Sequence, residues 1–136
     1  MKKMFSTKAS DAPFSLATFI LRVGAGGIIL GKHGFGKMLT FSEKAATFAD
    51  PFDLGPSVSL GMVVFAEFFC AALIVLGLFT RFACIPLIIA MTVALGHAHK
   101  WRILGDGSGA AIFLVCFLSI LFLGPGKFSL DKFIGK

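Results

Sequence analysis

Four long apolar runs separated by short polar breaks constrain this chain more than anything else in it. They lie at about 13–31, 58–79, 82–98 and 107–123. Each is continuous rather than alternating, and each approaches the roughly 17–25 residues that a membrane-crossing helix needs. Lipid offers no partner to a free backbone N–H or C=O, so a crossing segment is a helix or part of a closed barrel, and continuous runs select the helix. Hydrophobic residues make up 57% of the 136 and charged ones only 15%. A soluble domain of this length could not hide that much apolar surface. The expected fold is all-α: an integral membrane four-helix bundle, with residues 1–136 forming a single transmembrane domain in the lipid bilayer.

The lysines ahead of the first run give it the look of a signal peptide. Arg22 interrupts the apolar stretch, however, and no small-residue cleavage site follows cleanly, so a retained span is expected. The formal charge of +6 would suggest a nucleic-acid partner on a soluble protein. Here the cations flank the spans and set topology, and no nucleic acid is expected. Four crossings put both termini on one side, with Lys2, Lys3, Lys8, Arg81, Lys127, Lys132 and Lys136. The other side has Lys32, Lys37, Lys44, Lys100 and Arg102. Seven against five favours an N-in/C-in orientation. In the first loop, "SEKAATFA" (42–49) predicts a short interfacial helix begun by Ser42, broken by "DPFDLGPS". "GLFTRFA" (77–83) leaves room only for a tight hairpin between the second and third spans. Cys70, Cys84 and Cys116 contain no Cys-x-x-Cys pair and are expected to serve packing.

Glu67 and Arg22 each sit near the middle of a span. An ionisable group at the bilayer centre costs on the order of 2.5–3.5 kcal/mol on insertion scales, so the expectation is that the two meet at matching depth across the bundle. A static Arg22–Glu67 clip, a polar pocket for a ligand head group or proton, and a Glu67 that titrates alone are all compatible with that placement. Ser15, Thr18, Arg22, Ala25, Gly26 and Ile29 share one face of the first span. Ser59, Glu67, Cys70, Ala71 and Ile74 share one face of the second, and the two faces are expected to pack together. At the outer ends of the spans lie His33, His97 and His99, with Lys32, Lys37, Lys100, Trp101 and Arg102 around them. Imidazoles can ligate a metal, but His97 and His99 point to nearly opposite sides of a regular helix. Interfacial anchoring and a site for a polar head group are the competing roles, and no metal site is assigned.

Three stretches resemble the DoxX family in the family's order. "LRVGAGGIILGKHGFGKM" resembles its first helix, through Leu21, Arg22, His33, Gly34 and Lys37. "AEFFCAALIVLGLFTRFAC" resembles its second helix and hairpin, through Glu67, Gly77, Leu78, Thr80 and Arg81. "GPGKFSLDKFI" resembles its closing segment, through Gly124, Pro125, Gly126, Lys127, Ser129, Leu130 and Asp131. The chain departs from the family in having Phe69, Cys70 and Ala71 where paired glycines are common. Its only acid near the fourth helix, Asp106, also falls slightly early.

The resemblance implies a small multi-pass protein of the bacterial cell inner membrane. Some relatives are subunits of a thiosulfate:quinone oxidoreductase, others associate with oxidative-stress enzymes, and wider relatives act as cargo receptors or assembly chaperones. The expected function is therefore a quinone-interacting or accessory subunit of a membrane oxidoreductase, with other subunits or a homo-oligomer as partners. No metal or flavin motif is present in the chain, and the resemblance implies that the chemistry would come from a bound quinone or from a partner's cofactor. Glu67 and His33 are the candidate catalytic proton carriers, and Arg22, Lys37, Arg81 and His97 the candidate ligand-binding groups. The alternative is a non-catalytic scaffold or assembly chaperone that recruits partners. A transporter is a weaker fit, because no inverted repeat with broken helices is evident.

Overall fold

The computed structural model describes residue 6 and residues 10–135. Every regular element among them is helical. Three helices are long and apolar enough to cross a membrane: α1 (Asp11–Leu39), α3 (Pro56–Leu76) and α4 (Thr80–Ala98). A fourth apolar helix, α5 (Ser108–Leu123), is shorter. Two short helices complete the set, α2 (Phe41–Lys44) in the first loop and α6 (Leu130–Ile134) near the C-terminus. The chain is thus a multi-pass helical membrane bundle. Lys2, Lys3, Lys8 and Lys136, four of the cations counted for topology, lie outside the described residues.

α1 runs eight residues past the end expected at Gly31. Gly31, Lys32, Gly34 and Gly36 look like stop signals in water. In lipid a glycine does not end a helix, because the backbone groups it would release have no other partner. Continuity is kept by a π-helical stretch, Ile29–Gly34, and the lysine stems can lie along apolar surface. The two expected helix faces are both found: Ser15, Thr18, Arg22, Ala25, Gly26 and Ile29 of α1 are buried, as are Ser59, Glu67, Cys70, Ala71 and Ile74 of α3. Close approach of the two helices is set by small residues. A Cβ on Gly26 would lie 3.2 Å from the Ala71 carbonyl oxygen, so the backbones there are nearly in contact. Cys70 and Cys84 are buried in the core beside Leu87, Phe117 and Ile120, where they pack as small apolar groups.

The interfacial helix of the first loop is shorter than expected and starts earlier. α2 covers only Phe41–Lys44, and its N-cap is Thr40 rather than Ser42. The Thr40 hydroxyl donates back to the Gly36 carbonyl (2.9 Å), so it does not cap. The loop is organised instead by Asp50. Its carboxylate accepts from Leu54 N (3.0 Å), Gly55 N (2.9 Å) and the Ser59 hydroxyl (2.8 Å), and Pro56 then opens α3. The Ser59 hydrogen bond, helped by the two backbone ones, holds the Asp50 carboxyl below its ordinary value. A depressed folded-state pKa means that this stabilisation is fully present above the unfolded carboxylate range and is lost as pH falls through the folded value. Hydrogen-exchange protection at Leu54 and Gly55, measured against the intrinsic rate at each pH, should therefore fall on acidification below that range. In Asp50→Asn that protection should already be low at neutral pH and should not change through the carboxylate range.

The C-terminal segment is stitched onto the α3–α4 hairpin. Gly77 ends α3 at φ +73, and the Asp131 carboxylate accepts from Phe79 N (2.7 Å) and Thr80 N (2.9 Å), the first free donors of α4. Asp131 N in turn donates to the Gly77 carbonyl (2.8 Å). Lys127 reaches Asp11 at 3.4 Å, which puts both ends of the described chain on one side of the bundle.

Candidate functional site

At the other end of the bundle α1, α3, α4 and α5 leave a cleft of about 1040 Å³. Ile28, Val58, Met62, Phe65, Ile89, Val93 and Phe113 give it apolar walls, and Phe48, Ala49, Pro51 and Phe52 of the first loop border it. Its ionisable lining is Lys32, His33, Lys37, Glu67, His97, His99 and Asp106, with Ser59 as a further polar group. From Pro86 to His97, both lining residues of α4, the cleft extends over eleven residues, ~17 Å of helix.

Glu67 is 5% exposed and its Oε2 pairs with Lys37 Nζ at 2.8 Å. The pairing follows from Gly34. A Cβ on Gly34 would run into the Glu67 carbonyl and lie 2.8 Å from Phe68 N, so only glycine lets α1 and α3 come this close. Lys37 stands one turn beyond Gly34 on the same face and reaches back to the carboxylate. A buried carboxylate is tolerated because that ammonium neutralises it.

The expected Arg22–Glu67 pair does not form. Gly26 of α1 lies beside Ala71 and Gly34 beside Glu67, while Arg22 lies beside Ile74 and Val75, seven to eight residues or ~11 Å along α3 from Glu67. Counting depth from the inner ends assumes that the two helices start level, whereas α1 runs past the end of α3, with Thr18 beside Gly126 and Phe19 against Phe128 of the C-terminal segment. Arg22 is fully buried at the end of the bundle that carries the termini. Its Nη1 donates to the Ile74 carbonyl at 3.0 Å and the Val75 carbonyl at 3.4 Å, and Nη2 donates to the Phe128 carbonyl. Its guanidinium also sits over the Phe19 ring, 5.6 Å from the centroid, and Asp131 acts on it electrostatically. Arg81 is at this end too, its guanidinium against Gly124. Of the candidate residues, the cleft therefore brings together Glu67, His33, Lys37 and His97, while Arg22 and Arg81 are elsewhere.

His99 and Asp106 close one side of the mouth. Asp106 accepts from Arg102 Nε at 2.9 Å, and His99 Nδ1 is 3.4 Å from its Oδ2. Partial burial pushes the Asp106 carboxyl up, but His99 and Arg102 outweigh it and hold the group below its ordinary value. Among the described residues no three His, Cys, Asp or Glu side chains converge on a metal-sized site.

One feature of the site has no simple sequence signal. His33, Glu67 and His97 each lie on a π-helical stretch: Ile29–Gly34, Phe65–Cys70 and Ala94–Ala98. Single-turn π-bulges interrupt the regular i→i−4 ladder and turn side chains away from the helix's normal register, often at functional sites. Here three helices do so at one cleft. The DoxX family model matches residues 17–100. The chain belongs to the DoxX family. The match takes in α1 from Ala17, all of α3 and α4, and so every polar cleft residue except Asp106. It stops before α5 and the closing Gly-Pro-Gly segment, whose likeness to DoxX proteins rests on the motif itself. A comparison with curated proteins gave no match, and neither did one with solved structures.

Proposed function

We propose that this DoxX-family protein is an accessory subunit of a membrane oxidoreductase of the bacterial inner membrane, with its termini cytoplasmic, and that its outer cleft binds the quinone. One observation carries the proposal: a buried carboxylate–ammonium pair, Glu67 with Lys37, in a cleft whose walls are mostly apolar. A quinone fits that donor set. Its tail suits walls such as Ile89, Val93 and Phe113, and its two carbonyl oxygens need donors, which His33, Lys37 and His97 supply. When bound, the quinone accepts two electrons, drawn from a reduced centre of a partner subunit, and two protons. The protein's part is positional and protonic. The apolar walls exclude water, His33 and His97 orient a head group, and Glu67 passes protons while Lys37 stabilises its charged form.

General acid–base groups of this kind contribute roughly 10²–10⁴-fold to a rate. Glu67→Gln should lower quinone reduction by the assembled complex by about that factor, with abundance and melting temperature close to wild type. Unchanged quinone reduction in the variant would remove Glu67 from the mechanism.

The second reading is a scaffold or assembly chaperone, which the rigid inner cap around Arg22 and Asp131 favours. It makes the opposite forecast: Glu67→Gln lowers abundance of the chain or its partners and leaves no rate to lose.

A further inference from the structure

The charges of the cleft are unevenly engaged. Both of its carboxylates already have partners, Glu67 in Lys37 and Asp106 in Arg102 and His99. Three of its donors do not. Lys32 and His33 on α1 and His97 on α4 line the cleft and have no hydrogen-bond or ion-pair partner among the described residues. They come from two different helices, and the walls around them are apolar. Of the three, Lys32 is the fixed cation and the imidazoles are hydrogen-bond donors, and apolar walls beside a charge strengthen its field at the cleft mouth.

One ammonium and two imidazole donors above an apolar slot are complementary to a long apolar molecule that ends in an oxyanion. A neutral head group would accept hydrogen bonds from the two imidazoles but would leave the Lys32 charge unused. Glu67 does not oppose an anion strongly, because Lys37 neutralises it at 2.8 Å. We infer that the cleft selects amphiphiles whose head group is acidic and ionised over neutral ones of the same shape. For the quinone proposed above, on which this inference rests, the preferred form bears a ring hydroxyl that ionises near neutral pH and spreads its charge over the ring oxygens. A fatty-acid carboxylate offers the same chemistry from another source.

The test uses the full chain in mild detergent, with binding read by native mass spectrometry and by the shift in melting temperature. Three ligands are compared: a long-chain hydroxynaphthoquinone that is ionised at neutral pH, its methyl ether, and dodecanoate. Hydrogen bonds to an ionised group are roughly twice as strong as neutral ones, so the hydroxynaphthoquinone should bind at least about tenfold more tightly than its ether. Lys32→Gln should narrow that gap, and the ether's binding to the variant reports that the cleft is intact. Equal affinity for hydroxynaphthoquinone and ether overturns the inference and leaves the quinone reading standing. Binding of dodecanoate with neither naphthoquinone overturns the quinone reading and leaves the acidic-head preference standing. Binding of none overturns both.

Discussion

Arg22→Ala should unfold the end of the bundle that carries the termini and lose most of the protein from the membrane. The side chain is fully buried and ties three separated parts of the chain together: α1, the last turn of α3 through the Ile74 and Val75 carbonyls, and the C-terminal segment through Phe128. Hydrogen bonds to a charged group contribute roughly 1.5–3 kcal/mol each, and carbonyls left unpaired in lipid cost more than in water. Several such bonds and the cavity left behind put the loss at about 3–5 kcal/mol. That is a large share of the stability of a small domain. Arg22→Lys should recover only part, since a lysine lacks the planar fork that serves two directions at once. The measurement is melting in detergent together with limited proteolysis at residues 124–130. An unchanged melt and a protected segment would mean that the clip does not hold the cap.

Gly34→Ala should be the most damaging single-methyl change in the outer half. Gly34 has ordinary helical angles, φ −65 and ψ −47, so alanine is not strained there, and on propensity alone it would stabilise the helix by up to about 1 kcal/mol. The whole penalty comes from contact. The new Cβ meets the backbone of α3 at Glu67 and Phe68, and backbone cannot rotate out of the way as a side chain can. α1 must move off α3, at a cost of about 1–3 kcal/mol for overpacking, and Lys37 is drawn away from Glu67. Ligand binding in the cleft should fall with stability. Gly31→Ala is the control: nothing lies within 4 Å of its Cβ, so it should be neutral or slightly stabilising. Equal behaviour of the two alanines would show that the close approach at Gly34 is not what sets the cleft.

The apolar helices, the two buried faces and the placing of His33, His97 and His99 at one end of the bundle were legible because periodicity and apolar length are local properties; that Glu67 joins them at the cleft was not. The partner of Glu67 was not. Lys37 lies beyond six glycines, in a stretch that reads as loop under the rules of aqueous helices, and only the continuation of α1 in lipid brings it back over α3. Arg22 was misassigned for the complementary reason. Its partners are backbone carbonyls and a residue more than a hundred positions away in sequence, Phe128, and carbonyls leave no side-chain signature. The π-helical stretches were equally hidden, since they share no common pattern: Ile29–Gly34 and Ala94–Ala98 contain glycine, whereas Phe65–Cys70 does not. Asp131 shows the intermediate case: the closing motif was visible, but its role as a cap for Phe79 and Thr80 required the fold.

The most direct test of the central claim, that the outer cleft holds a quinone-class amphiphile, is mass spectrometry of the small molecules that co-purify in mild detergent with wild type and with Ala90→Trp. That substitution places a large ring in the cleft wall between Ile89 and Met91, and its melting temperature is recorded alongside. Stoichiometric quinone on the wild type, absent from a variant that still melts cooperatively, is the predicted result. Equal trace quinone on both would contradict the claim and turn attention to the scaffold reading.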